Sequence, residues 1–188
     1  MTDELLYQGR WISIYSKSVI SRNGNEAKWE YVRRTRENPE GDGVDVIAKY
    51  KGCLILAAVY RYPISRMVLE FPAGLAEDLE VTQVSLKELK EETGYLARES
   101  DILEISPVIY TDPWKSTETF RYVVINVPEI EENEHPVQEL EDEEIITVEL
   151  VSLDRVLDNI LALVETKGYA LDSKLYLFAK GIQDTMND

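Results

Sequence analysis

The sequence holds one cysteine, Cys53, and one histidine, His135, among 188 residues. A lone cysteine cannot close a disulfide within the chain, and Cys53 opens the apolar run 53–59. It reads as a core thiol in a reducing compartment. His135 sits in an acidic loop and finds no partners for a catalytic triad. Cations are scarce as well: 20 Lys and Arg against 36 Asp and Glu leave a net charge of −16. Such a chain has little with which to neutralise a phosphate backbone, so nucleic acid is excluded as an expected partner. No run approaches the roughly 18 uncharged apolar residues of a membrane span, so no membrane partner is expected. Residues 1–6 lack the pattern of a signal peptide. The expected location is the cytoplasm, with the nucleus a second compartment if the chain is eukaryotic.

What is present suffices for a core. Hydrophobic residues make up 44% of the chain, too many for a disordered polypeptide, and the length suits one domain with a small extra subdomain. Residues 9–20 alternate as a strand, Ser21-Arg22-Asn23-Gly24-Asn25 turns the chain back, and residues 26–36 alternate again. The breaker Glu37-Asn38-Pro39-Glu40-Gly41-Asp42-Gly43 then separates a β-ribbon subdomain, residues 1–40, from a main domain, residues 41–188. A two-stranded ribbon carrying exposed Trp11 and Trp29 is marginal alone and needs the rest of the chain or a partner to cover it.

Beyond the breaker, strands are expected near 44–50, 52–62 and 67–71, followed by a helix with Thr82 as N-cap and Gly94 at its end. Residues 102–110 and 119–127 are β-rich, and 128–144 is a polar, mobile loop. A strand over 145–153 and amphipathic helices over 154–167 and 172–183 complete the pattern. By pattern alone it is an α/β or α+β sandwich.

One feature of the helix is electrostatically costly. Glu88, Glu91 and Glu92 lie three and four residues apart, so they stack like charges on one face. Each such pair weakens a helix by a few tenths of a kcal/mol. Two readings account for it. One is a solvated face screened by Lys87 and Lys90. The other is a site for a hard divalent cation, Mg²⁺ or Mn²⁺, which prefers carboxylate and carbonyl oxygens. The turn Pro72-Ala73-Gly74 beside the helix offers a backbone carbonyl to the same ion, and an ion held there would clamp a pyrophosphate and activate water.

The stretch from Gly74 through Glu80 to Lys87-Glu88-Leu89-Lys90-Glu91-Glu92-Thr93-Gly94-Tyr95 resembles a Nudix box. Glu70-Phe71-Pro72-Ala73-Gly74, Thr111-Asp112-Pro113 and Gly168-Tyr169-Ala170-Leu171-Asp172 resemble the ADP-ribose/ADP-sugar pyrophosphatase branch, especially its eukaryotic members. With Trp29-Glu30-x-Val32-x-Arg34-Thr35 and Asp42-Gly43-Val44, the similarity spans nearly the whole chain. It departs at two points: Lys87 stands where the family has arginine, and the span from Glu80 to Lys87 is one residue short. A lysine keeps the charge but lacks the bidentate fork.

The resemblance implies an α/β/α sandwich, a mixed sheet between helices, with a small N-terminal antiparallel β subdomain. It implies hydrolysis of the pyrophosphate bond of ADP-ribose or a related ADP-sugar to AMP and sugar phosphate. The alternatives are another nucleoside diphosphate derivative, such as GDP-mannose or an oxidised nucleoside diphosphate, and a non-catalytic ADP-ribose-binding module. By the same resemblance, Glu88 and Glu92, the Ala73 carbonyl and supporting Glu91 hold Mg²⁺, with Mn²⁺ possible. Arg61 contacts phosphate, Glu70 stands near the metals, and Arg34, Asp42 and Leu75 contact substrate. The catalytic base is expected in the acidic loop, where nine of the sixteen residues 129–144 are acidic. Glu132 is the first choice, Glu141 the second, and Glu118 a further acidic candidate. A homodimer with exchanged N-terminal strands would let Trp11 and Trp29 sandwich the adenine across the interface, and Trp114 would narrow the pocket on the sugar side.

Overall fold

The computed structural model describes residues 3–76 and 79–187. Among them, β1 (Asp3–Gln8), β2 (Ile12–Ile20) and β3 (Glu26–Arg34) form an antiparallel sheet in that order. The turn between β2 and β3 closes through Gly24, whose φ of 79° is a conformation glycine adopts without steric cost. Sequence alternation did not announce β1, because Leu5, Leu6 and Tyr7 are consecutive apolar residues and the register shifts between Leu5 and Tyr7. Tyr15 and Tyr31 stack across β2 and β3 with ring centroids 5.7 Å apart, and the Arg33 guanidinium lies 4.8 Å from the Tyr15 ring. The far edge of β3 is tied to a loop of the main body: Val32 N–H donates to Lys115 O at 2.8 Å, and Thr117 N–H to Val32 O at 3.1 Å.

The main sheet contains β4 (Gly43–Tyr50), β5 (Cys53–Arg61), β6 (Arg66–Glu70), β7 (Ala73–Leu75), β8 (Ile102–Ile105), β9 (Ile109–Tyr110), β10 (Thr119–Asn126), β11 (Ile146–Ser152) and β12 (Ala170–Leu171). Its central order is β12-β6-β5-β4-β10-β8, with β11 on β5, β7 on β4 and β9 on β10. The β4–β10 and β6–β12 pairs are parallel and the others antiparallel. Three helices pack on it: α1 (Val81–Thr93), α2 (Val156–Lys167) and α3 (Ser173–Asn187).

The strand period of two assigns the faces. Val44, Val46 and Ala48 of β4 point to one side, where Val84 and Leu89 of α1 complete a buried cluster. Ile47 of β4 and Leu54, Leu56 and Ala58 of β5 point to the other, against Val156, Leu157 and Ile160 of α2 and Leu175 and Ala179 of α3. The result is a mixed sheet between helices, an α/β/α sandwich with a small antiparallel sheet at its N-terminal end.

Three local expectations are corrected. The N-cap of α1 is Glu80, whose backbone N–H donates to Gln83 Oε1 at 3.4 Å, and Thr82 lies inside the first turn. Cys53 is half-buried at the start of β5 rather than in the core. Residues 128–144 are docked rather than a free loop. Asn133, only 1% exposed, accepts the Leu96 N–H at 2.7 Å and donates to Leu96 O and Pro128 O at 2.9 Å each. Glu139 N–H donates to Glu91 O at 2.9 Å, and Gln138 Nε2 donates to Glu92 O, so the segment satisfies carbonyls at the end of α1. Gly94 closes that helix with φ 78°, and a Cβ there would lie 2.4 Å from Val137 N.

Candidate active site

The site begins at a close approach between β7 and α1. Glu88 crosses directly over Gly74: a Cβ on residue 74 would lie 2.1 Å from Glu88 Cδ and 2.2 Å from its Oε1. One turn further along the same helix, Glu92 is 5% exposed and its Oε2 accepts the Ala73 N–H at 2.9 Å. The i, i+4 spacing thus lays two carboxylates along the backbone of residues 73 and 74. Glu91 lies beside them and is more open. Lys87 Nζ sits 2.7 Å from Glu91 and 3.5 Å from Glu88, so one ammonium bridges two of the three charges.

A cavity of about 450 Å³ opens over this face. Glu88, Glu91, Glu92, Ala73, Gly74 and Lys87 line one side, Arg61 and Leu75 another, and Glu141, Glu143 and Glu144 close it from the acidic segment. Arg61 forms a two-pronged ion pair with Glu70, whose own side chain is largely buried. Burial raises the Glu70 carboxyl above its ordinary range, and Arg61 opposes the rise. Behind them, Lys174 of α3 donates to both oxygens of buried Asp45 on β4, at 2.7 and 2.9 Å.

Burial also raises Glu88, and it pushes Glu92 up to about 8. The Ala73 N–H opposes the Glu92 rise, while the charges of Glu88, Glu144 and Glu70 add to it. A folded-state pKa above the unfolded value of 4.5 means that folding takes up a proton. The associated stability is complete below the unfolded value and disappears as pH rises through the folded value. In EDTA, Tm should therefore fall between about pH 6 and about pH 8.5, and fall less in Glu92→Gln. Equal slopes for the two proteins would contradict this coupling.

Among the described residues, no three acidic, histidine or cysteine side chains are already drawn together at ligand spacing. The donor set nevertheless suits a hard divalent ion. It offers carboxylate oxygens, a neighbouring backbone carbonyl, and a buried carboxylate, Glu92, that is in no ion pair among the described residues and is acidified by the Ala73 N–H and the more distant Arg61. A metal taking the place of the Lys87 ammonium and the Glu92 proton would relieve both the desolvation and the like-charge repulsion.

The structure separates the sequence-derived base candidates. Glu132 lies on the short 3₁₀ turn Glu131–Glu134 and does not line the cavity, whereas Glu141 does. Glu144, not singled out by sequence, lines it too and faces Glu88 and Glu92 closely enough to raise both. The signal for Glu144 lay in strand register. β11 runs antiparallel to β5 from Ile146 opposite Val59, which carries the residues just before it towards Arg61. Glu118 is held by Arg34 rather than facing the carboxylates. Trp114 is exposed, lines neither of the two cavities beside Trp11, and its carbonyl accepts the Trp29 indole N–H at 3.0 Å.

A second cavity, of about 330 Å³, adjoins the first and shares Trp11 and Leu75 as a common wall. Arg10, Arg34, Arg36, Glu37, Asn38 and Asp42 complete its lining. Asp42 is only 6% exposed. Its Oδ1 accepts the Asn38 N–H at 2.9 Å, and its Oδ2 accepts from Thr119 N–H at 2.8 Å and the Thr119 hydroxyl at 3.2 Å. Its carboxylate therefore braces the cavity rim.

Comparison with known proteins bears on this geometry. The chain is 34% identical to an ADP-ribose pyrophosphatase of Saccharomyces cerevisiae over 182 residues, covering 92% of this chain and 77% of that protein. It is 31% identical to putative nudix hydrolase 2 of Caenorhabditis elegans over 188 residues, 96% of this chain and 83% of the relative. It is 29% identical to an ADP-sugar pyrophosphatase of Mus musculus over 190 residues, 97% and 86% of the two chains. The fold matches a crystal structure of an ADP compounds hydrolase at a TM-score of 0.65 and 20% identity, covering 86% of this chain and 81% of that one. The NUDIX domain matches residues 41–172, a span that takes in the glutamate face, the Ala73–Gly74 backbone it lies on and the lining of the larger cavity apart from Trp11. With a match of that extent, the chain belongs to the Nudix family.

Proposed function

We propose that the chain is a Mg²⁺-dependent hydrolase of ADP-ribose or a related ADP-sugar that releases AMP and a sugar phosphate. The observation that carries this reading is the pair of carboxylates, part-buried Glu88 over Gly74 and buried Glu92 on the Ala73 N–H, facing a cavity that shares the indole of Trp11 with its neighbour. The relatives named ADP-ribose pyrophosphatase and ADP-sugar pyrophosphatase support the choice of substrate.

Nudix hydrolases generally need divalent ions. Here Glu88, Glu92, Glu91 and the Ala73 carbonyl would hold Mg²⁺, or Mn²⁺ in its place. When bound, the ion supplies charge neutralisation at the diphosphate and acidifies an attacking water. The chain supplies the rest. Arg61, already oriented by Glu70, presents guanidinium N–H groups to a phosphate oxygen. Glu144, with Glu141 the alternative, accepts the proton of the water that attacks phosphorus as the bridging P–O bond breaks. Its proximity to Glu88 and Glu92 favours it over Glu132.

Trp11 and Trp29 would hold the adenine from two subunits of a homodimer. Within one chain, Thr35 pairs with Trp11 and Lys17 with Trp29. The two indoles are thus about six strand positions apart, roughly 20 Å at 3.3 Å per residue, too far to close on one ring. Exposed Leu5, Leu6, Tyr7, Ile12 and Ile20 on the same sheet support a partner surface there. Trp29→Ala should raise KM for ADP-ribose by about tenfold, since base stacking on an aromatic side chain contributes on the order of 1–3 kcal/mol. An unchanged KM would count against stacking.

The function itself is tested by incubating the protein with Mg²⁺ and a panel of nucleoside diphosphate sugars and resolving the products by chromatography. AMP and ribose 5-phosphate from ADP-ribose are expected. Faster release from GDP-mannose or an oxidised nucleoside diphosphate would move the substrate class, and binding without products would leave a binding module.

A further inference from the structure

The smaller cavity carries more positive charge than a nucleoside needs. Its lining brings Arg10, Arg34 and Arg36 together in a chain whose net charge is −16. The two acids that share the lining are engaged elsewhere. Glu37 accepts the Thr117 hydroxyl at 2.8 Å and lies 3.4 Å from Arg33 Nε, while both Asp42 oxygens are taken by the Asn38 and Thr119 groups. Of the arginines, Arg34 is neutralised by Glu118. Arg10 lies on the Trp11 indole, 4.7 Å from the ring centroid, and no carboxylate pairs with it or with Arg36 among the described residues. Two guanidiniums in no ion pair therefore face one cavity, and the single acid of the lining that also lacks an ion pair, Asp42, is buried in the rim with its oxygens turned to Asn38 and Thr119.

The diphosphate of the substrate does not account for them. It belongs over the glutamate face, in the other cavity, where Arg61 and the metal carboxylates are. A neutral base and ribose on the far side of Trp11 would leave both charges unanswered. Guanidinium groups match phosphate oxygens in a planar, two-pronged geometry and bind a dianion better than a neutral hydroxyl. Resting on the functional reading above, we propose that Arg10 and Arg36 form an anion subsite for a phosphomonoester on the nucleoside ribose. The enzyme then takes adenosine diphosphate sugars phosphorylated at the 2′ or 3′ position in preference to the unphosphorylated compounds. Arg10, stacked on Trp11, places that subsite beside the indole that would hold the base.

The test uses binding without turnover. In EDTA, calorimetric titration compares AMP with adenosine 2′,5′-bisphosphate and adenosine 3′,5′-bisphosphate. At least one bisphosphate should bind about tenfold to a hundredfold more tightly than AMP, the range of a charge-assisted contact. Arg36→Gln and Arg10→Gln should each shrink that ratio, and Arg22→Gln, on the exposed hairpin turn, should keep it. Equal affinity for all three nucleotides in the wild type would overturn the proposal. So would a ratio that survives both cavity substitutions, or one that Arg22→Gln reduces equally. Because no hydrolysis is read, failure of the catalytic reading shows separately in the product assay.

Discussion

Glu92→Gln should lower kcat for ADP-ribose by about 10²- to 10³-fold or more, with the fold retained. The expectation rests on where the charge sits. Glu92 is buried, and its carboxylate accepts a single backbone N–H, from Ala73. A glutamine carbonyl can accept the same hydrogen bond at nearly the same volume, so the helix and its contact with β7 survive. The anionic charge does not survive. Losing one ligand charge from a metal-assisted phosphoryl site removes several kcal/mol of transition-state stabilisation, and each 1.36 kcal/mol is tenfold in rate. Circular dichroism and Tm should stay near wild type while kcat collapses. An undiminished rate would return the glutamate run to a plain acidic face.

Gly74→Ala should do comparable harm by another route. The added methyl would lie 2.1 Å from Glu88 Cδ and 2.4 Å from its Cγ. Those atoms belong to the far end of a flexible side chain, so Glu88 can swing away at small cost to stability. Its carboxylate then no longer lies on the turn. Displacing a catalytic group by about 1 Å can cost around 10²-fold in rate, and kcat/KM should fall by about that much while Tm moves by a few degrees at most. Loss of folding with loss of activity would instead make Gly74 a backbone requirement, and full activity would remove Glu88 from the site. Glycine at 74 is thus explained by what crosses it rather than by its own φ.

Residues whose roles follow from local spacing were legible in the sequence. The three and four residue steps of Glu88, Glu91 and Glu92 required one helical face, and the Pro72-Ala73-Gly74 turn expected beside it does lie against it. Strands expected near 44–50 and 52–62 coincide with β4 and β5, and the two helix patterns near the C-terminus predicted α2 and α3 to within a few residues. Roles that depend on long-range register were not legible. Glu144 reaches the cavity because β11 pairs with β5, and no local pattern distinguishes it from the other acids of its segment. That segment looked mobile because its composition is polar. What docks it are side-chain bonds from Asn133 and Gln138 to backbone groups around α1, which hydrophobic periodicity does not register. The Lys174–Asp45 pair spans 129 residues and is equally silent in sequence. No sequence signal singles out Arg10 and Arg36, which only the fold brings into one cavity with Arg34.

The central claim is that the Glu88–Glu92 face holds a divalent cation. It is tested most directly by titrating Mn²⁺ into the nucleotide-free protein and following the electron paramagnetic resonance signal of the free ion. Wild type should withdraw Mn²⁺ from solution, and Glu92→Gln and Glu88→Gln should each bind at least about tenfold more weakly, the scale on which metal sites respond to loss of a coordinating contact. Identical Mn²⁺ binding by the wild type and both variants would contradict the account.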